Sequence, residues 1–280
     1  MLELTVTDAA GAVVARAQGQ DELYLVHDRS HEEGTVLNLN APDGSFLVVA
    51  LDDAMAPALI FLRDGHFAFP IPFGPAAEGY SPCAFTGTRR RSIVRLARHE
   101  EIAARRDLAL NPYDHAQSTA FPHASANAAT RGEACFAART AIDGEIANDG
   151  HGHWPYTSWG IAQNPRAALT VTFGRPVIID EIALTLRADF PHDSWWRSAT
   201  INFGNGDTES LALAKTGRRQ AFPIKQRQVV QLVLQDLVAA DDPSPFPALT
   251  RIEAMGVEYA PSSKISEFLD GLDERMGIEN

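Results

Sequence analysis

The spacing of apolar runs constrains this 280-residue chain more than any other feature. Short apolar stretches recur with turn residues between them, and a helical period shows in only two places. Leu2–Thr7 alternates, Ala9-Ala10-Gly11 turns, and residues 12–17 return as a hairpin partner. Residues 23–26 and 36–39 are further strands. Residues 46–51 and Ala58–Leu62 are continuous apolar runs, the pattern of strands covered on both faces. Residues 67–74 mix aromatics with Pro70 and Pro72, which confines them to an edge or an irregular crossing. Strands this short, with turns every ~8–12 residues, predict a small sandwich or barrel over residues 1–87.

Residues 88–112 change period. Ser92 is a candidate N-cap, and Ile93, Leu96, Ala97 and Ile102 share a helical face. Glu100 and Glu101 pair with Arg105 and Arg106 at helical spacing, and Asn111-Pro112 stops the run. The expectation is a connector helix over 88–112, with Arg89-Arg90-Arg91 as its solvated start. Residues 113–260 are then a second β domain. Residues 261–280 form a short amphipathic helix whose face carries Ile265, Phe268, Leu269, Leu272 and Met276, ready to dock on the sandwich or on another subunit of an oligomer.

Composition narrows the partners. Hydrophobic content of 45% and charged content of 21% are those of a globular protein. A net charge of −12 argues against sequence-independent binding of nucleic acid or anionic membrane. No apolar run approaches the ~20 residues of a membrane span, and the first residues lack the pattern of a signal peptide, so a cytoplasmic location is expected. Cys83 and Cys135 match no metal spacing and are expected as two buried thiols. His27, Asp28, His31 and Glu32 lie close together, but a solvated polar turn accounts for them better than a metal loop.

The stretch AIDGEIANDGHGHWPYTSWG, residues 141–160, has no sustained apolar period. Its glycines and Asn-Asp-Gly favour turns, so it is a long shaped loop of the kind that carries function. A second such loop is 187–197, with Arg187, Asp189, His192, Asp193, Trp195 and Trp196. All four Trp of the chain fall in these two loops.

Ala141-Ile142-Asp143-Gly144, followed by a Trp, resembles the A-x-D-G…W signature of discoidin-like (coagulation factor 5/8 C-type) domains. Residues 168–173 and 177–186 are similar to that family's L-x-V-x-F…V-x-x-I-x-L strands, and residues 249–259 to its closing I-x-E-I-x-V-x-G strand. Arg251 stands where the family has its first glutamate, and Glu253 matches the second. The resemblance covers about half the chain, roughly residues 115–259, and implies a galactose-binding-like jelly roll of the kind found in many carbohydrate-binding modules. The expected fold is therefore mainly β: an N-terminal sandwich or barrel, a connector helix, a C-terminal jelly-roll sandwich and a short C-terminal helix.

Sugar binding needs aromatic rings for the C–H face of a pyranose and fixed polar groups for its hydroxyls. His151, His153, Trp154, Tyr156, Arg187, Asp189, His192 and Trp195 supply both, and a carbohydrate or glycoconjugate is the expected partner. The resemblance further implies a structural calcium, with Asp143 as the matching ligand, carbonyls near Asn148, and Glu253 on the closing strand. Zinc at His151, His153 and His192 is a weaker alternative, lacking a fourth ligand. A lyase or hydrolase using His153, His192 and Asp189 of the same loops stays open, as does a structural module with buried Trp.

Overall fold

The computed structural model describes residues 1–188 and 194–259. The protein is mainly β, in three antiparallel sheets with very little helix. The sequence before residue 122 forms β1 (Leu2–Thr7), β2 (Val13–Gly19), β3 (Glu22–His27), β4 (Val36–Asn40), β5 (Ser45–Ala50), β6 (Ala58–Leu62), β7 (His66–Pro70), β8 (Arg90–Leu96), β9 (Arg106–Asp107) and β10 (Ala120–Phe121). One sheet has the order β2-β1-β4-β7, the other β10-β6-β5-β8-β3. Leu2, Leu4, Leu37 and Phe67 from the first meet Leu25, Leu47, Ile60 and Val94 from the second in one core. β1 and β5 contribute every other residue, as a period of two dictates, whereas β6 buries Ile60, Phe61 and Leu62 in succession.

Four expectations change here. Residues 90–96 are a strand, and the only α-helix of this region, α1, is His99–Ala103. The period decides it: Arg90, Ser92 and Val94 turn inward while Arg91 stays out, and β-branched Ile93 and Val94 suit a pleated surface. Arg90 tolerates burial because its guanidinium donates to the carbonyls of Phe85, Gly87 and Arg29. The continuous run on β5 also alternates in burial. Its outer Phe46 packs on Phe61 at 4.9 Å, and Arg175 from the second half of the chain lies 4.9 Å over each ring. The polar turn is not fully solvated either: His27 is buried and stacks on His31 at 5.0 Å. Cys135 is buried as expected, whereas Cys83 is exposed.

The third sheet is built from β11 (His123–Ala126), β12 (Trp159–Gly160), β13 (Leu169–Leu186), β14 (Trp196–Asn202), β15 (Thr208–Ala212), β16 (Gln220–Ala239) and β17 (Ala248–Glu258). Its order is β12-β17-β13-β16-β14-β15, with β11 on β13 and β9 on β17. The expected break at Gly174-Arg175-Pro176 is absorbed inside β13 as an irregularity between Thr172 and Val177. Gly174 takes φ +72°, and a Cβ there would meet the Phe121 ring at 2.3 Å. A second irregularity, at Asp180, resets the alternation so that Ile179 and Ile182 both face the core. Long strands bent in this way curl the sheet around a single core containing Trp159, Leu169, Phe173, Ile182, Trp196 and Leu234.

The two cores interleave along the chain. Leu108 and Ala109 belong to the second, Tyr113 and Ala120 to the first, and Ala124 to the second again. No single cut near residue 113 separates them. Buried polar groups hold this crossing. Asn111 donates to Pro122 O at 2.8 Å, and Tyr113 Oη to Ala56 O at 3.0 Å. Buried Asp114 accepts from the Ala124 amide at 2.8 Å and meets His123 Nδ1 at 2.7 Å. Buried Arg139 donates to the carbonyls of Asp114, Gly79 and Pro112 at 2.9, 3.0 and 3.2 Å, with its guanidinium 4.0 Å over the Tyr80 ring. Burial pushes the Asp114 carboxyl up, and the hydrogen bond from Asp114 raises His123. The predicted helix over 261–280 lies outside the described residues.

Candidate functional site

The long loop 141–160 divides its residues between three environments. Its last Trp, Trp159, is fully buried, donates Nε1 to Ala128 O at 2.9 Å and lies 6.4 Å from the ring of buried Trp196. Trp154 turns toward the crossing between the cores. Its Nε1 donates to Glu145 Oε1 at 2.7 Å, and its backbone amide to Glu78 O at 2.9 Å. There it shares a small recess of about 70 Å³ with Tyr80, Arg139, Asp143 and Glu145. His151 turns the other way.

His151 lines a cavity of about 190 Å³ with Thr130, Arg131, Phe136, Gly160, Ile161, Ala162, Gln163, Arg187 and the segment 245–248. Each wall has a local cause. Thr130 Oγ1 accepts from the Ala162 amide at 3.1 Å, and a Cβ on Gly160 would sit 2.5 Å from that hydroxyl. The chain can close here only with glycine. Arg187, at the end of β13, is buried, holds the Ala248 carbonyl through its amide at 3.1 Å, and donates Nη1 to Ser158 Oγ at 3.2 Å. Buried Phe136 lies within cation–π distance of two guanidinium groups, 5.6 Å from Arg131 and 5.9 Å from Arg187. Arg131 is itself steered by Glu133, at 2.9 Å from Nη2.

Two features set this cavity apart. Phe246 is 51% exposed at its mouth, between Pro245 and Pro247. Among the described residues, five non-glycine positions have positive φ, and three of them line this cavity: Arg131, Ala162 and Gln163. Strained backbone of that kind gathers where a site must hold its shape. The volume suits one sugar-sized ring, below the roughly 300–1,000 Å³ of drug-sized pockets. A larger groove of about 560 Å³ runs between the cores, walled mostly by alanines with Phe73, Tyr80 and His115. His115 is engaged with Ala68 O and Arg139 with three carbonyls.

Of the binding residues expected from the sequence, His151 and Arg187 meet in one cavity. Trp154 lies in the other recess. His153 is exposed, 3.5 Å from Glu78, and Tyr156 packs its ring over Gly150. Trp195 is half-buried against the second core, and Asp189 and His192 lie outside the described residues. The sequence reading passed over Phe246, Arg131, Phe136 and Gln163. Phe246 did carry a signal: an aromatic between two prolines cannot alternate into a strand.

The expected metal ligands do not assemble. Asn148 donates its amide to the carbonyls of Leu186 and Gly217, and Glu253 is paired with Arg219 and Arg251. Among the described residues no group of three or more His, Cys, Asp or Glu could hold a metal ion. Asp143 accepts from the Glu145 amide through Oδ1, while Oδ2 is buried without a hydrogen-bond partner; burial raises this carboxyl to about 6.

No protein-family model matches the sequence, and no curated protein matches it. Solved structures do. A chitosan-binding module from a chitosanase/glucanase of Paenibacillus sp. IK-5 is 19% identical, over 54% of this chain and 99% of that one, with a TM-score of 0.38. The family 32 carbohydrate-binding module of Clostridium perfringens NanJ, solved with galactose, is 18% identical over 47% and 91%, with a TM-score of 0.36. A fucose-binding module of Streptococcus pneumoniae is 12% identical over 56% and 99%, with a TM-score of 0.38.

Proposed function

We propose that this protein binds a carbohydrate, without transforming it, in the cavity between His151, Arg187 and Phe246. The observation that carries the reading is the exposed Phe246 ring at the mouth of a sugar-sized cavity whose inner wall presents Arg187. An aromatic face takes the apolar side of a pyranose, and guanidinium, imidazole and the Gln163 amide take its hydroxyls in fixed directions. Among the described residues the lining holds no carboxylate; Asp189 and Asp193, which follow Arg187, lie outside them. The module resemblance at Ala141–Gly144 fits the same reading.

The test is titration of a monosaccharide and glycan panel by calorimetry, with wild type and Phe246→Ala side by side. A saturable ligand whose affinity falls in the variant supports the cavity. A ligand bound equally well by both moves the site elsewhere, and release of a cleaved product would replace binding by catalysis.

A further inference from the structure

The turn at Asp143-Gly144 is where the family resemblance calls for a bound cation, and there the side chains of this chain depart from that pattern. Arg251 projects from β17, opposite Thr185 of β13. Its guanidinium meets oxygens from three separate segments: Nη1 the Gly144 carbonyl at 3.3 Å, Nη2 Asp107 Oδ2 at 2.9 Å, and Nε Glu253 Oε1 at 3.3 Å. All three charged groups are largely withdrawn from solvent, with side-chain exposures of 16% for Arg251 and 11% for both acids. Asp107 spends its other oxygen on the amides of Ala109 and Ala254, and Glu253 spends its other oxygen on Arg219. Calcium asks for six to eight oxygens around one point. Here the Gly144 carbonyl, Asp107 and Glu253 already surround a guanidinium, Asn148 offers its donor end to carbonyls, and of the carboxylate oxygens of Asp143 and Glu253 only Asp143 Oδ2 has no hydrogen-bond partner. One oxygen is not a cage. A divalent ion placed beside it would also face the positive charge of Arg251.

We infer that Arg251 is a built-in cation: its guanidinium ties the Asp143-Gly144 turn to β9 and β17, the task a bound calcium would perform, and the fold takes no calcium there. The planar fork explains how one side chain can serve, because its donors point in fixed, separate directions toward three oxygens. The inference is independent of the sugar cavity.

The experiment is thermal unfolding of the full chain in millimolar calcium chloride and in EDTA, with terbium luminescence sensitised by tryptophan as a direct probe of a metal site. The expected result is the same midpoint in both buffers and no saturable terbium signal. A calcium-dependent rise in midpoint that Asp143→Asn abolishes overturns the proposal. Two variants test the guanidinium itself: Arg251→Gln lowers the midpoint by several degrees, and Arg251→Lys, which keeps the charge and loses the fork, falls between. An Arg251→Gln protein as stable as wild type also overturns it. Should that variant fail to fold, the wild-type calcium and terbium titrations still decide.

Discussion

Compare the two places that the loop 141–160 reaches. At the crossing between the cores, Trp154 finds a hydrogen-bond acceptor, Arg139 finds three carbonyls, and Asp114 finds an imidazole and an amide. At the cavity, the backbone is strained at Arg131, Ala162 and Gln163, and an aromatic ring stands half in water. The first region has spent these polar groups on itself, with Asp143 Oδ2 the exception. The second also pairs Arg187 with Ser158 and Arg131 with Glu133, yet both side chains line an open cavity. Side chains of similar chemistry thus serve two surroundings, a closed crossing in one case and the wall of an open cavity in the other.

The comparison breaks most visibly at Arg139. Replacing it by Ala strips the donor from three carbonyls at ~1–3 kcal/mol each, so unfolding in urea should show a loss on the order of 3 kcal/mol or more. A loss under about 1 kcal/mol would mean the crossing is held by something else. Phe246→Ala is next and is its mirror image. Sugar affinity should fall about tenfold or more, while stability stays within about 0.5 kcal/mol of wild type. Trp154→Phe sharpens the contrast within the loop itself: losing the bond to Glu145 should cost ~1 kcal/mol of stability and leave sugar affinity unchanged. Weakened binding in that variant would join the two regions functionally.

The smallest effect concerns pH. The hydrogen bond to Asp114 raises the pKa of His123 in the folded protein. A raised value means that the stabilising contribution is complete below the ordinary imidazole pKa of about 6.5 and fades as pH rises through the folded value. The stability gap between wild type and His123→Gln should therefore narrow from about pH 6 to pH 9. A gap that widens over that range contradicts the assignment. Calcium, finally, should leave all of these midpoints unmoved.

Much of this was legible in the sequence, unevenly. The β class, most strand positions and the turns between them follow from alternation that any short window displays. His151 and Arg187 were readable as candidates because polar residues without a period belong to loops. The strand at Arg90–Leu96 was hidden because two positions on its inner face, Arg90 and Ser92, are polar, and only buried carbonyls make that tolerable. The four Trp were partly separable in sequence: Trp159, between Ser158 and Gly160 before a strand, reads as core, and Trp154 and Trp195 read as exposed. Trp159 is core as its context indicates, and Trp196 joins it, while Trp154 takes the crossing instead of standing exposed.

The sequence by itself determined where the chain can be extended and where it must turn, because backbone sterics and a two-residue period act locally. Only the tertiary structure decided that Phe246 stands beside His151 and Arg187, that Arg251 rather than Glu253 faces the Asp143 turn, and that residues 106–126 thread two cores in alternation. Those outcomes depend on which distant segments share one volume, and partners far apart along the chain leave no local trace in either one.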